Sequence, residues 1–248
     1  MPRRKEQFEV GDIGHAILRA IDDNLLFKNT NDYYRGVFSI YEFNNAKPVT
    51  IQRRREVRNS FKELLKLRGA PSSTDSGLGE EDERDKIVEV LAFCFMPNHI
   101  HLLLKQIKDG GISKFMQKVG GGYGRYFNDK YKRKGHVFQD SYKLVLVEDD
   151  KQLMTVVPYI FTNPIALIEP GFKEKGIVNH SVKEVAKFLE EYKWSSYQDY
   201  IGIKNFDSVT QRDFLSETIG GVQGCKDVVA DWILRKKDLS QFSNLFLE

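Results

Sequence analysis

Two apolar runs separated by a short turn constrain the fold of this chain most strongly. Residues 86–95 and 100–104 are almost entirely apolar, and Met96-Pro97-Asn98 stands between them. Short runs rich in Val, Ile, Leu and Phe and joined by a turn are typical of adjacent strands that are buried on both faces. The sequence therefore predicts a hairpin of two buried strands near the middle of a sheet.

The segments on either side of this hairpin complete an order of elements that is typical of one fold. Periodicity and polar caps predict the order β-α-β-β-α-β-α. This order favours a ferredoxin-like α+β fold, in which helices cover the faces of an antiparallel sheet, and C-terminal helices are added to it. The other predicted strands are 9–20 and 137–147, and the predicted helices are 33–41, 50–67, 112–131, 149–168, 181–189, 209–219 and 226–235.

Two segments depart from regular patterning. Gly120-Gly121-Gly122 stands inside the predicted helix 112–131, where each glycine costs roughly 1 kcal/mol relative to alanine. Either the helix is broken there or another backbone approaches it closely. Residues 69–85 are rich in Gly, Ser and acidic side chains and cannot bury a core, so they predict a flexible surface insertion.

Composition excludes several classes of protein. Hydrophobic residues make up 41% of the 248 residues, and no run approaches the ~18 apolar residues of a membrane span. The basic first residues are followed by no apolar run, so we expect no signal peptide and no membrane partner. Cys94 and Cys225 are too few for a disulfide framework or a four-cysteine zinc site. These features favour a cytoplasmic protein.

The distribution of charge is more informative than its sum. The net charge is +3, but basic residues are concentrated in 53–68 and 114–143, and aromatic residues interrupt the second cluster. Cations alternating with rings are typical of surfaces that bind single-stranded nucleic acid. The alternative is a solvated helix face whose rings turn to the core. The DNA-binding residues predicted from this stretch are Arg125, Lys132, Arg133 and Lys143.

The pair His99 and His101 opens the second strand of the hairpin. Residues at i and i+2 on a strand project from the same face, about 7 Å apart along the chain. Two imidazoles so placed are able to share one cation, with Ile100 buried on the opposite face. The alternative is a pair of polar side chains that bond to the backbone near a strand start. A buried polar pair is unfavourable without partners, which keeps the metal hypothesis open.

A second pair, Tyr159 and Asn163, lies at the end of the predicted helix 149–168. Residues at i and i+4 share a helix face. A phenol is a usable nucleophile toward phosphorus, and an amide oxygen one turn away is a hard ligand for a metal. The alternative is a tyrosine that packs with its hydroxyl outward and an asparagine that is favoured before Pro164 in a turn.

Four motifs occur in the order found in a known family. Together they resemble the single-tyrosine HUH transposases, particularly the REP-associated tyrosine transposase branch, from about Ile13 to Gly202. The motifs are Met96-Pro97-Asn98-His99-Ile100-His101, Gly135-His136-Val137-Phe138-Gln139, Tyr159-Ile160-Phe161-Thr162-Asn163-Pro164 and Trp194-Ser195-Ser196-Tyr197.

The resemblance implies roles for four residues. In this family, the two histidines bind a divalent cation, a tyrosine on a later helix attacks DNA, and an amide four residues after it completes the metal site. Those roles fall on His99, His101, Tyr159 and Asn163. The implied reaction nicks hairpin-forming single-stranded DNA with Mg²⁺ or Mn²⁺. It leaves a 5′-phosphotyrosine and a 3′ hydroxyl, and a second 3′ hydroxyl reseals the strand without ATP.

The resemblance also implies a division of the chain and leaves alternatives open. Residues 1–202 are expected to form the transposase domain and 203–248 a helical extension. The family often has Gly-Arg-Tyr-Lys after the glutamine, whereas this chain has Asp140-Ser141-Tyr142-Lys143, a departure that concerns phosphate contacts. His15 is interpreted as structural. A metal-dependent phosphodiesterase that uses water and a catalytically silent nucleic-acid-binding regulator remain alternatives, and a homodimer is compatible with the sequence.

Overall fold

The protein is described by a computed structural model that covers residues 8–50, 82 and 84–235. Its four strands pair antiparallel throughout, in the spatial order β2-β3-β1-β4. This is the ferredoxin-like arrangement that the order of elements predicts, with the hairpin β2–β3 holding one edge and the centre of the sheet. The strands are β1 (Ile13–Arg19), β2 (Val88–Met96), β3 (His99–Gln106) and β4 (Lys143–Val147).

The helices begin where polar caps place them. Asn29 accepts hydrogen bonds from the backbone at the start of the first helix, and Ser181 forms a capping box with Glu184 in a later one. A 3₁₀ turn, Asn163–Leu167, follows α3 directly. The helices of the described part are α1 (Thr30–Glu42), α2 (Gly111–Tyr131), α3 (Asp150–Thr162), α4 (Phe172–Lys175), α5 (Val182–Glu191), α6 (Tyr197–Tyr200), α7 (Asp213–Ile219) and α8 (Gly221–Arg235).

The sheet separates two hydrophobic cores. On one face, α1 and α2 pack against the side chains that include Ile100, Leu102 and Leu104. On the other face, α3 packs with the later helices, and residues of α7 and α8 such as Leu215 and Trp232 belong to this same core. The C-terminal helices therefore bury their apolar side chains against the helix that carries the Tyr-x-x-x-Asn motif.

The glycine run does not break α2. Helix α2 is continuous from Gly111 to Tyr131, although it contains three consecutive glycines. A Cβ at Gly122 would lie only 2.2 Å from the ring of Phe43. The close approach is therefore made by an aromatic side chain that follows α1 and not by another backbone.

Several predicted boundaries were wrong. The strand predicted over 137–147 begins only at Lys143, because the chain bends at residues 139–141; before the bend, Ile21 donates to the Val137 carbonyl and Gln139 donates to the carbonyl of Arg19, the last residue of β1. The helix predicted over 149–168 ends at Thr162, one residue before the Asn163-Pro164 step, where the 3₁₀ turn takes over. Of the two helices predicted last, α7 begins later, at Asp213, and α8 begins earlier, at Gly221.

Some predictions fall on residues outside the described ranges. The helix predicted over 50–67, the basic cluster 53–68 and almost all of the insertion 69–85 lie there. Within the described ranges, no helix has the length and apolar character needed to cross a membrane.

Candidate active site

The two histidines of the His-x-His motif lie on one face of the central strand β3. His99 is paired with Arg19 of β1, and His101 is paired with Ile17. Their ring centroids are 4.8 Å apart, and both side chains are buried. Ile100, between them, belongs to the opposite core. The predicted placement of the two rings is confirmed, and their role as metal ligands stays a prediction.

Each of these imidazoles is held through its Nδ1 atom. Nδ1 of His101 lies 3.0 Å from Nε2 of His15, and Nδ1 of His99 lies 2.7 Å from Oδ1 of Asn98. Metal-binding histidines are typically held in this way, because the partner fixes the direction of the other ring nitrogen. Nε2 is therefore the atom that each ring has to offer to a cation.

His15 lies inside this site, although the sequence suggested only a structural residue. Its ring stacks on that of His101, with centroids 5.3 Å apart, and it is fully buried. The motif alone gives no sign of this contact, because it depends on how β1 pairs with β3.

The electrostatics of the site keep both histidines of the motif neutral. Burial lowers the pKa of His99 and of His101 well below the usual range. A neighbouring histidine and the cations Arg19 and Lys173 lower both values further. Neutral imidazole is the form that binds a metal ion.

Tyr159 and Asn163 approach the histidines from α3 and the turn that follows it, on the face of the sheet that carries both imidazoles. The Tyr159 ring centroid lies 5.5 Å from that of His101. Asn163 donates from Nδ2 to the Tyr159 carbonyl oxygen at 3.2 Å, and its amide raises the pKa of both histidines and lowers that of the phenol. The four residues of the predicted site therefore form one buried cluster.

The phenol of Tyr159 is in a surrounding that disfavours its ionised form. Burial raises its pKa above the ordinary value near 10, while the hydrogen bond with Asn163 acts in the opposite direction. A nucleophilic role therefore requires that substrate or nearby positive charge stabilises the phenolic oxygen as it loses its proton.

The donor set fits a hard or borderline divalent cation. Two neutral imidazoles and the amide oxygen of Asn163 converge, and such mixed N and O sets suit Mn²⁺ and related ions. In the part of the chain that the structure describes, no group of three or more His, Cys, Asp and Glu side chains is arranged to hold a metal. Beyond the two imidazoles, the remaining donor among the predicted ligands is the amide oxygen of Asn163.

Of three further side chains around the cluster, two were not found from sequence, and the third, Arg19, was noted only as part of a segment that resembles a strand of the family. Lys173 of α4 places its Nζ 5.4 Å from the centroid of the Tyr159 ring, and Trp232 of α8 packs edge-on to the same ring at 6.4 Å. Arg19 ends β1 directly opposite His99. None of these residues belongs to a local motif at the nucleophile, so only the tertiary contacts reveal them.

The four predicted DNA-binding residues occupy different places. Arg125 lines an open groove of about 930 Å³ between α2 and residues 135–142. Lys143 lines a smaller cleft next to Arg19. Lys132 caps α2 in the left-handed conformation, and Arg133 lies over the ring of Phe127. The structure therefore places two of the four along the edge that leads to the histidines and two at the end of α2.

The aromatic residues of the same stretch divide between core and surface. Tyr123 and Phe127 are buried in the core beneath α2, which agrees with the alternative of rings turned inward. Phe138 and Tyr142 are only partly buried and line the groove. Tyr126 and Tyr131 are also partly buried, but each donates a hydrogen bond to Asp32, so Phe138 and Tyr142 are the two rings of this stretch that line the groove.

Comparison with known proteins supports the resemblance drawn from the motifs. Residues 78–163 match the family model described as "Transposase IS200 like". No curated protein matches the chain. A solved structure titled "Structure of the REP associates tyrosine transposase bound to a REP hairpin" is 14% identical, with a TM-score of 0.44 over 86% of this chain and 95% of that one. Over the segment that holds His99, His101, Tyr159 and Asn163, the chain is similar to the IS200-like transposases, which confirms the family resemblance.

Proposed function

We propose that the protein is a DNA transposase that nicks and rejoins single-stranded, hairpin-forming DNA through Tyr159. One observation carries the proposal: Tyr159 and Asn163 meet His99 and His101 in one buried cluster. All four residues also lie within the segment that matches the IS200-like transposase family. A structural tyrosine at the end of a helix needs none of these partners.

In the proposed reaction, the phenolic oxygen of Tyr159 attacks a backbone phosphorus atom. A bond forms between that oxygen and phosphorus, and the bond from phosphorus to the 3′ oxygen breaks. The phenol releases its proton to water, and the departing 3′ oxygen takes one up, so the products are a 5′-phosphotyrosine and a 3′ hydroxyl. Attack by another 3′ hydroxyl reverses the step and restores the phenol.

The residues around the phenol have defined roles in this step. His99, His101 and Asn163 would hold a divalent cation, which would polarise a phosphoryl oxygen. His15 holds the His101 ring through its Nδ1, so that Nε2 keeps its direction. Burial of the whole cluster excludes bulk water, which disfavours hydrolysis relative to attack by the phenol.

The groove beside α2 has features that suit a single DNA strand. Gly121 has nothing within 4 Å of the position of a Cβ atom, so the helix presents bare backbone there. Arg125 stands at this groove as a cation for backbone phosphates. Tyr142 lines both the groove and the small cleft that includes Arg19. A strand that follows this edge of the sheet would pass from the groove to the histidines.

Formation of a covalent adduct tests the proposal. Labelled hairpins with single-stranded flanks, selected by binding from a random pool, are incubated with the protein and Mn²⁺ or Mg²⁺ and analysed on a denaturing gel. We expect an adduct with the wild type and none with Tyr159→Phe, which keeps the ring. Tyr197→Phe, which removes a hydroxyl from another tyrosine of the same core, is the matched control and should form the adduct. Cleavage by Tyr159→Phe at a wild-type rate would show that water attacks instead.

A further inference from the structure

Two cations approach the candidate site from elements that are distant in sequence. Arg19 ends β1 and is the β-pairing partner of His99. Lys173 belongs to α4 and places Nζ 5.4 Å from the centroid of the Tyr159 ring. The predicted mechanism uses neither of them, so their presence beside a buried nucleophile requires its own explanation.

The position of Lys173 is set by the chain around it. Gly171 adopts a positive φ of 88° before α4, a conformation that favours glycine. Phe172 then anchors the short helix in the core, with 3% of its surface exposed. Gly171 and Phe172 fix the backbone directly before Lys173. The half-buried Lys173 side chain then lies over the ring of Tyr159.

The two positive charges act on each other and on the same neighbours. Burial lowers the pKa of Lys173 to about 8, and the charge of Arg19 contributes to this shift. Arg19 pairs with the exposed Asp23 at 3.1 Å, and the charge of Glu174 favours the protonated form of Lys173. Both cations also lower the pKa of His99 and of His101, so their charges act on the same part of the site.

We propose that Lys173 and Arg19 form a subsite that binds one phosphate group, in the DNA complex the backbone phosphate next to Tyr159. A compact anion between two cations relieves their mutual repulsion and gains charge-assisted hydrogen bonds from both. The neutral histidines bring no further positive charge to this point, so the two side chains are the source of anion affinity among the described residues that line the cluster. The assignment of the ligand to DNA rests on the proposed function, whereas the affinity for phosphate does not.

The first arm of the test uses inorganic phosphate and no DNA. Phosphate is titrated into isotope-labelled protein, and the assigned backbone amide signals of Ala20 and Phe172, which neighbour the two cations and are present in every variant, are followed by NMR. We expect saturable binding that Lys173→Met and Arg19→Gln each weaken by about tenfold, in line with the loss of one charged hydrogen bond. Lys175→Met, on the same short helix but exposed, is the matched control and should bind as the wild type does.

The second arm uses uncleaved hairpin DNA in the Tyr159→Phe background. Removal of one phosphate contact reduces the dependence of log affinity on log salt by about 0.7 for a single strand. We expect this change in slope with Lys173→Met, restoration by Lys173→Arg, and no change with Lys175→Met. A merely structural role for Lys173 would alter affinity without altering the slope.

The outcomes separate this subsite from the proposed function. If Lys173→Met and Arg19→Gln both bind phosphate as the wild type does, the subsite is wrong, whether or not a covalent adduct forms. If phosphate binding falls as expected but the wild type forms no adduct with any hairpin, the subsite stands and the transposase proposal fails. If phosphate binding falls while the salt slope does not change, the assignment to a DNA phosphate is overturned. Circular dichroism of each variant checks that it is folded.

Discussion

The two faces of strand β3 differ in the polarity of their buried side chains. On one face, Ile100, Leu102 and Leu104 pack in a core of apolar side chains beneath α1 and α2. On the other face, His99 and His101 occupy equally buried positions. The apolar face maximises the stability of the sheet, whereas the polar face carries ionisable groups whose burial opposes their charged forms. Two buried histidines therefore lower the free energy of unfolding relative to apolar side chains, at the site proposed for catalysis.

The largest expected effect comes from the polar face. His101→Ala removes a proposed metal ligand and the partner of His15. We expect the rate to fall roughly 10³-fold, because a metal ion supplies several kcal/mol of transition-state stabilisation. The rate of adduct formation under single turnover measures it. His180→Ala is the control, because His180 hydrogen-bonds to Glu169 and lies outside both the cluster and the groove. Equal rates for His101→Ala and the wild type would contradict the assignment of the site.

The apolar face should respond in the opposite way. Leu102→Ala leaves a cavity beneath α1 and α2, and we expect a decrease in the free energy of unfolding of about 2–5 kcal/mol. Urea unfolding measures this decrease, and adduct formation at low temperature should be retained because the residue does not contact the site. If Leu102→Ala abolished adduct formation while it remained folded, the proposed separation between the two faces would be wrong.

The pH dependence of stability sharpens the comparison. The folded pKa values of His99 and His101 lie below the unfolded value of about 6.5, so the unfolded state binds more protons in this range. Without metal, the wild type should therefore lose stability as the pH falls below about 6.5. A His99→Gln, His101→Gln double variant should lose less over the same range, as measured by urea midpoints at pH 7.5 and 5.5. If the wild type and the double variant lost equal stability between pH 7.5 and 5.5, protonation of groups other than His99 and His101 would be the cause.

The smallest effect concerns the DNA surface. Neutralising Arg125, which lines the groove, should reduce the salt slope of single-strand binding by about 0.7. Lys132 and Arg133 lie at the end of α2, so their joint neutralisation tests whether the strand extends that far. If Arg125→Gln leaves both affinity and slope unchanged, the groove is not part of the DNA path.

The sequence predicted the elements that depend on local pattern. The hairpin β2–β3 and the placement of His99 and His101 on one face of β3 follow from apolar runs and residue spacing, which a few neighbouring residues decide. The family resemblance, carried by motifs in order, added the connection between the histidines and Tyr159. These are the features for which near neighbours in sequence are also near neighbours in space.

The sequence did not predict what depends on register and on distant packing. His15 reaches His101 because β1 pairs with β3 at one particular offset. The segment before β4 does not continue that strand: Gln139 donates to the carbonyl oxygen of Arg19, the last residue of β1, and Phe138 forms only an isolated bridge with Ala20. Lys173 lies on a short helix whose place is set by Phe172 in the core. No local pattern carries this information.

The contact between Trp232 and Tyr159 has a consequence for the order in which the protein matures. Trp232 lies on α8, far downstream of α3, and packs on the ring of the proposed nucleophile. A chain under synthesis emerges from its N-terminal side and folds as its parts appear. The two histidines, Tyr159 and Asn163 are therefore all translated before Trp232, which packs on the Tyr159 ring. A nascent chain therefore completes the packing around the proposed nucleophile only after α8 has left the ribosome and docked.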